Sequence, residues 1–166
     1  MIRLLKGGLL LLFGTLGVAA LLLAVLAWSS RRAAEVGLSE GQLRRCPETP
    51  NCIGSERQDA AHAVPALDVG PLEPFAAWNV FRRAVEATGG KIAHVDGNYL
   101  HAEYHTSLLG FVDDFEARLD ESRGRIEVRS ASRVGRSDLG VNRRRLQRLR
   151  AVYQRLRNGS LTRAQA

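Results

Sequence analysis

From Gly7 to Trp28 no residue is charged, and that run limits the fold more than any other feature of the chain. Its 22 residues, at about 1.5 Å of helical rise each, span roughly 33 Å, enough for a hydrocarbon core of about 30 Å. The expectation is a short tail at 1–6 and one transmembrane helix over 7–28. A cleaved signal peptide competes with it, since Arg3 and Lys6 make a basic start and Val25-Leu26-Ala27 resembles a cleavage site. The apolar run is, however, longer than the roughly 7–15 residues of such signals, which favours an uncleaved signal anchor.

Flanking charge does not orient the span, because Arg31 and Arg32 balance Arg3 and Lys6. The cysteines do. Cys46 and Cys52 are the only two, set in Arg45-Cys46-Pro47-Glu48-Thr49-Pro50-Asn51-Cys52, where two prolines and an asparagine favour a tight turn. An even pair at this spacing suits a disulfide, which would add roughly 2–2.5 kcal/mol by closing so short a loop and would persist only outside the reducing cytosol. A zinc site is the alternative reading, but it needs two further ligands and there is no second close cysteine pair to supply them. The chain is therefore expected in the inner membrane as a single-pass protein, its amino terminus cytoplasmic and its carboxyl-terminal domain periplasmic.

Beyond the span, 22 Lys+Arg face all 17 Asp+Glu. No acidic residue follows Asp138, whereas Arg143, Arg144, Arg145, Arg148, Arg150, Arg155, Arg157 and Arg163 do. Nucleic acid is the wrong partner for an exported domain. The basic excess points instead to the cell membrane, to an anionic small molecule or lipid headgroup, or to an envelope protein partner, although a solvated arginine face explains the same letters.

Residues 29–45 read as a juxtamembrane tether, and the prolines between Ala61 and Pro74 make that stretch a connector rather than an interior helix or central strand. Phe75, Trp78, Phe81 and Val85 repeat at helical spacing over 75–88 and stop at Gly89-Gly90. The period then becomes two, with strands expected at 91–96, 99–106, 111–120 and 125–133, joined by turns at Asp96-Gly97-Asn98 and Glu121-Ser122-Arg123-Gly124. In the fourth strand Ile126, Val128, Ser130 and Ser132 oppose Arg125, Glu127, Arg129 and Arg133. A closing helix from about Asn142 aligns Leu146, Leu149, Val152, Tyr153 and Leu156. The fold class is α+β: an antiparallel sheet of about four strands flanked by two helices on one face, in a globular domain at 46–157 with a flexible tail at 158–166.

The densest polar stretch runs from Arg129 to Arg145, at the passage from the fourth strand to the last helix. Helix amides near Gly140 and Val141, with Arg129, Arg133, Ser130, Ser132 and Asn142, would make an anion pocket. The competing reading is that Asp113, Asp114 or Glu116 neutralises the arginines from the next strand and Asp138 caps the helix. His101, Glu103 and His105 alternate on one strand and so share a face; two imidazoles and a carboxylate suit a metal, but a half-exposed polar sheet face explains them as well. Ser130, Ser132 and Ser137 lack a nucleophile elbow, and Asp113 and Asp114 face opposite ways, so no catalytic group is assigned. Neither a cofactor nor a metal site is expected. A hydrolase using His101 or Asp114 as base, with or without a metal, is the second reading, and a structural envelope protein contacting lipid the third.

These segments together resemble a known family: Cys46-Pro47 with Pro50-Asn51-Cys52, Tyr99-Leu100-His101-Ala102-Glu103, Phe111-Val112-Asp113-Asp114, and Arg129-Ser130-Ala131-Ser132-Arg133-Val134-Gly135 continuing through Ser137-Asp138-Leu139-Gly140-Val141-Asn142. The chain is similar over roughly 46–157 to the bacterial and plastid proteins called domain of unknown function 1499. The resemblance implies a domain extent and a cell-envelope setting, and no substrate. Gly54 departs from the hydroxyl residue more usual in that family after the cysteine.

Overall fold

A computed structural model describes residues 2–32, 35–56, 58–106 and 110–164. Met1, Gln165 and Ala166, the ends of the two expected tails, lie outside them. The first helix, α1 (Ile2–Ser29), begins inside the expected 1–6 tail and contains one segment, Lys6–Ser29, long and apolar enough to cross a membrane.

The expected tether at 29–45 is instead structured. It carries a small hairpin, β1 (Leu38–Ser39) with β2 (Gln42–Leu43), turned by Gly41 in the left-handed region. Two further short strands precede the second helix, β3 (Cys52–Gly54) and β4 (Leu67–Asp68). Then come α2 (Pro74–Ala87), β5 (Lys91–Asp96), β6 (Tyr99–His105), β7 (Val112–Asp120), β8 (Arg125–Ser132) and α3 (Val141–Ala164). The last helix therefore occupies most of the 158–166 segment expected as a flexible tail.

The main sheet has six strands rather than about four. Its order is β3-β8-β7-β6-β5, and β4 also pairs with β8. The meander β5 to β8 follows the alternating pattern of the sequence, with Gly97-Asn98 and the Glu121–Arg123 turn as its hairpins. The two additional strands are too short to show a period. β3 pairs with Arg129–Ala131 and β4 with Arg125–Ile126, so both share the free edge of β8. The prolines do bar the Ala61–Pro74 stretch from the sheet interior, yet it is more than a connector, since Leu67 and Val69 enter the core.

Both large helices cover one face. The α2 helix starts at Pro74, whose missing amide costs nothing there, with Glu73 accepting from the Ala76 amide, and it ends where Thr88 Oγ1 donates to Ala84 O before left-handed Gly89. Its Trp78, Phe81 and Val85 meet Leu100, Ala102, Phe115, Ala117, Ile126 and Val128 from the sheet and Leu146, Leu149 and Tyr153 from α3. Phe81 is the centre of this cluster, with ring centroids 5.5 Å from Trp78, 6.3 Å from Phe115 and 5.8 Å from Tyr153. The opposite face is lined with charged side chains and closed by residues 35–45 and the end of α1, a covering that the sequence pattern did not disclose.

Truncating Phe81 would leave a cavity at the point where three elements meet. Phe81→Ala is expected to cost roughly 3–5 kcal/mol in a denaturant titration of the full chain in detergent micelles.

Candidate functional site

The strand period divides the junction residues between the two faces of β8. Ser130 and Ser132 face α3 and join Asn142 in a clasp: Ser130 Oγ donates to Asn142 Oδ1 at 2.6 Å, and Asn142 Nδ2 donates to Asn51 O at 3.0 Å and to Ser132 Oγ at 3.2 Å. Arg145 reaches into the same clasp to pair with Asp113. Asp138 accepts from the amides of Gly140 and Asn142 at 2.9 and 2.7 Å, which occupies the start of α3. These groups pin the helix to the sheet and to the disulfide loop, and the first amides of the helix are taken by Asp138.

Arg129 and Arg133 lie on the other face, so the five residues expected to bind a ligand together do not converge. Arg133 donates to Asp114 from Nε and Nη2 at 2.9 and 2.7 Å, to Glu103 from Nη2 at 2.5 Å and to Ser30 O from Nη1 at 3.3 Å. These pairings raise the pKa of Arg133 above its ordinary value, Asp114 contributing most. Every nitrogen is engaged. His101 Nε2 sits 2.7 Å from Asp114 Oδ1, and Glu103 is held by Arg133 with His105 Nε2 3.6 Å away. The face expected to be half exposed is largely buried at His101 and Asp114, and the trio His101, Glu103 and His105 is drawn apart by these partners. Among the described residues no group of three or more His, Cys, Asp and Glu side chains is placed to hold a metal ion.

Arg129 is different. Its Nη1 donates to Glu116 Oε2 at 2.7 Å, but its buried Nε has no hydrogen-bond partner among the described residues, although only 9% of the residue is exposed. Arg129 forms part of the wall of a cavity of about 530 Å³, together with Arg44, Arg45, Cys46 and Pro47. Glu35 and Glu40 also line the cavity, and Glu35 approaches Arg44 at 3.9 Å from the surface. The Cys46–Cys52 disulfide, with Cα atoms 5.6 Å apart, ties the end of the hairpin segment to β3 and so holds the basic pair over β8. Sequence reasoning missed Arg44 and Arg45 by assigning them to a tether. The available signal was their position directly before a bonded cysteine, which denies that segment free movement.

Several buried carboxylates hold the polar face together. Glu116, fully buried, accepts from the Gly37 amide at 2.7 Å, from Tyr99 Oη at 2.8 Å and from Arg129. Burial, with Glu116 beside it, raises the pKa of Tyr99 well above the ordinary tyrosine value. Glu56 accepts from the Leu43 amide at 2.8 Å and pairs with Arg118. Burial pushes the Asp114 carboxyl up, but the hydrogen bonds and charges of His101 and Arg133 outweigh it and hold the pKa below the usual carboxylate range.

Residues 42–152 match the family described as protein of unknown function DUF1499. No curated protein and no solved structure matches the chain.

Because the folded Asp114 pKa lies below its unfolded value of about 3.9, the unfolded chain binds more protons between the two. Its contribution to stability is therefore complete above about pH 4 and is lost as pH falls through the lowered value. Asp114→Asn should flatten this acid limb in melting curves recorded against pH. Arg133→Ala, which strands a buried carboxylate, should cost about 3–5 kcal/mol at neutral pH.

Proposed function

We propose, for a chain that belongs to the DUF1499 family, that it is a single-pass inner-membrane protein whose periplasmic domain binds an anionic ligand between the β1–β2 hairpin and β8. The amino terminus would lie in the cytoplasm. Support for export comes from the disulfide, which needs an oxidising compartment. Retention of the anchor is supported by its last turn, where buried Ala27 and Ser30 pack into the domain and Ser30 Oγ accepts from the Val112 amide at 3.1 Å.

The observation that carries the ligand reading is a cavity of about 530 Å³ whose wall includes three arginines, Arg44, Arg45 and Arg129. A phosphate or carboxylate in the cavity would meet a guanidinium from β8 on one side and the basic pair of the hairpin segment on the other. Arg44 and Arg45, nearer the surface, would complete the grip on a second oxygen. Of the junction residues first considered, Arg129 remains in the site, whereas Ser130, Ser132 and Asn142 join α3 to the sheet and Arg133 is taken up by Asp114 and Glu103.

The hydrolytic alternative has one observation in its favour. His101 lines a separate cavity of about 580 Å³ with His94 and Asp96, and its other side is fixed by buried Asp114, as a general base requires. Loss of ester hydrolysis in His101→Gln with unchanged melting would support it.

The binding reading is tested by thermal shift of the full chain in detergent against inorganic phosphate, pyrophosphate and citrate. One of these at a hundred times its dissociation constant should add about 2.7 kcal/mol of stability. The shift should vanish in the double variant Arg44→Ala, Arg45→Ala, whose side chains are outside the buried network. A shift of equal size in that variant, or none with any anion in the wild type, rejects the proposed cavity.

A further inference from the structure

A third cavity, of about 290 Å³, opens where the first helix meets the domain. Its walls include Leu26 from α1, Phe111 before β7, Val134 and Leu139 from the loop after β8, and Val141 at the start of α3. We propose that this cavity binds one acyl chain of an anionic phospholipid drawn from the bilayer around α1. The inference rests on the part of the reading above in which α1 stays in the membrane, and is independent of the arginine cavity.

Position is the first argument. Leu26 lies one turn before Ser29, where the apolar span ends, so this wall stands about 4.5 Å inside that end, near the boundary between acyl chains and headgroups. The anchor cannot swing away from the cavity, because Ser30 is bonded through its hydroxyl to the Val112 amide and through its carbonyl to Arg133. Exposed Trp28, with the Arg32 guanidinium 5.6 Å above its ring, lies at the same level, as aromatic residues do at a membrane interface.

Chemistry is the second. The cavity wall is predominantly apolar, and its two carboxylates are already committed: Asp113 to Arg145, Asp138 to the first amides of α3. Three exposed arginines adjoin wall residues: Arg31, whose guanidinium approaches Gly110 beside Phe111, Arg136 between Gly135 and Ser137, and Arg144 next to Leu139. Arg144 Nη1 also donates to Leu139 O at 2.9 Å. An apolar slot with guanidinium groups beside it fits a lipid with a negative headgroup.

The third argument is Leu139. It is 84% exposed and holds a φ of +52°, a conformation that a leucine rarely adopts. In water both features are unfavourable at the same residue, and the domain gains no packing from either. Against a bilayer the side chain projects into the apolar phase, and the strained backbone is what directs it there.

The test uses the full chain in nanodiscs of mixed phosphatidylglycerol and phosphatidylcholine, released for native mass spectrometry. The wild type should appear at the mass of the chain from Met1 with one phospholipid retained, phosphatidylglycerol in excess of its share. Filling the cavity with Val134→Phe should exclude two or three methylenes, each worth a factor of about four, and reduce the lipid-bound fraction at least about tenfold. Leu139→Gly, which relieves the backbone rather than burdening it, should also reduce retention and keeps the test decisive if Val134→Phe misfolds. An intact chain without lipid, or equal retention in both variants, overturns the inference alone. A mass lacking the residues before Trp28 overturns the retained anchor and the lipid site with it.

Discussion

A carboxylate with no access to solvent sets the terms for half of this structure. Glu116 is fully buried, and an ion there is tolerable only if its oxygens are occupied by well-placed donors. The three it receives come from separate parts of the chain: the Gly37 amide before the hairpin, the Tyr99 hydroxyl on β6 and the Arg129 guanidinium on β8. Glu56 makes a similar demand on the Leu43 amide and Arg118. The segment between α1 and β3 therefore supplies backbone donors to two buried charges, and it cannot detach without depriving each of one of its partners.

The two faces of the sheet are consequently held by different physics. Under α2 and the middle of α3 the contacts are mainly apolar and non-directional, so that part of the face tolerates changes of shape that conserve volume, while the first turn of α3 is held by the Asn142 clasp and the Arg145–Asp113 pair. On the opposite face the contacts are directional and lie in a low dielectric, where each group strengthens its partner when paired and penalises the fold when not. Such a face specifies geometry more than it adds stability. Because its network extends through Arg133 to Ser30, the orientation fixed in this way includes the direction in which α1 leaves the domain. The domain is not a body on a tether.

What could be read from the sequence follows the distance over which the signal acts. The span, the four strands from β5 to β8 and both large helices are periodic over six residues or more, and each stands close to where its period placed it. The strands β3 and β4 are three and two residues long and owe their conformation to β8, more than fifty residues away, so no local pattern could mark them. The hairpin at 38–43 was hidden for the same reason, its partners being buried carboxylates elsewhere in the chain. The junction motif is another matter. Alternation already put Arg129 and Arg133 opposite Ser130 and Ser132, and treating all of them as one pocket set proximity in sequence above the period of the strand.

The arginines of the chain divide into paired and exposed sets. Arg118, Arg129, Arg133 and Arg145 are matched by Glu56, Glu116, Asp114 and Asp113, so these interior cations add nothing to the outward field. The net positive charge beyond the span therefore resides on exposed residues. Among them Arg31, Arg32, Arg136, Arg143 and Arg144 stand at the end of α1, in the loop after β8 and in the first turn of α3, while Arg45 lies on the hairpin side. A charge excess carried by a whole chain says little about a site until the internal pairs are removed from it. Once they are, two groups of exposed cations remain near openings, one under the hairpin and one at the end of α1, while others such as Arg83, Lys91, Arg123 and Arg155 stand elsewhere on the surface.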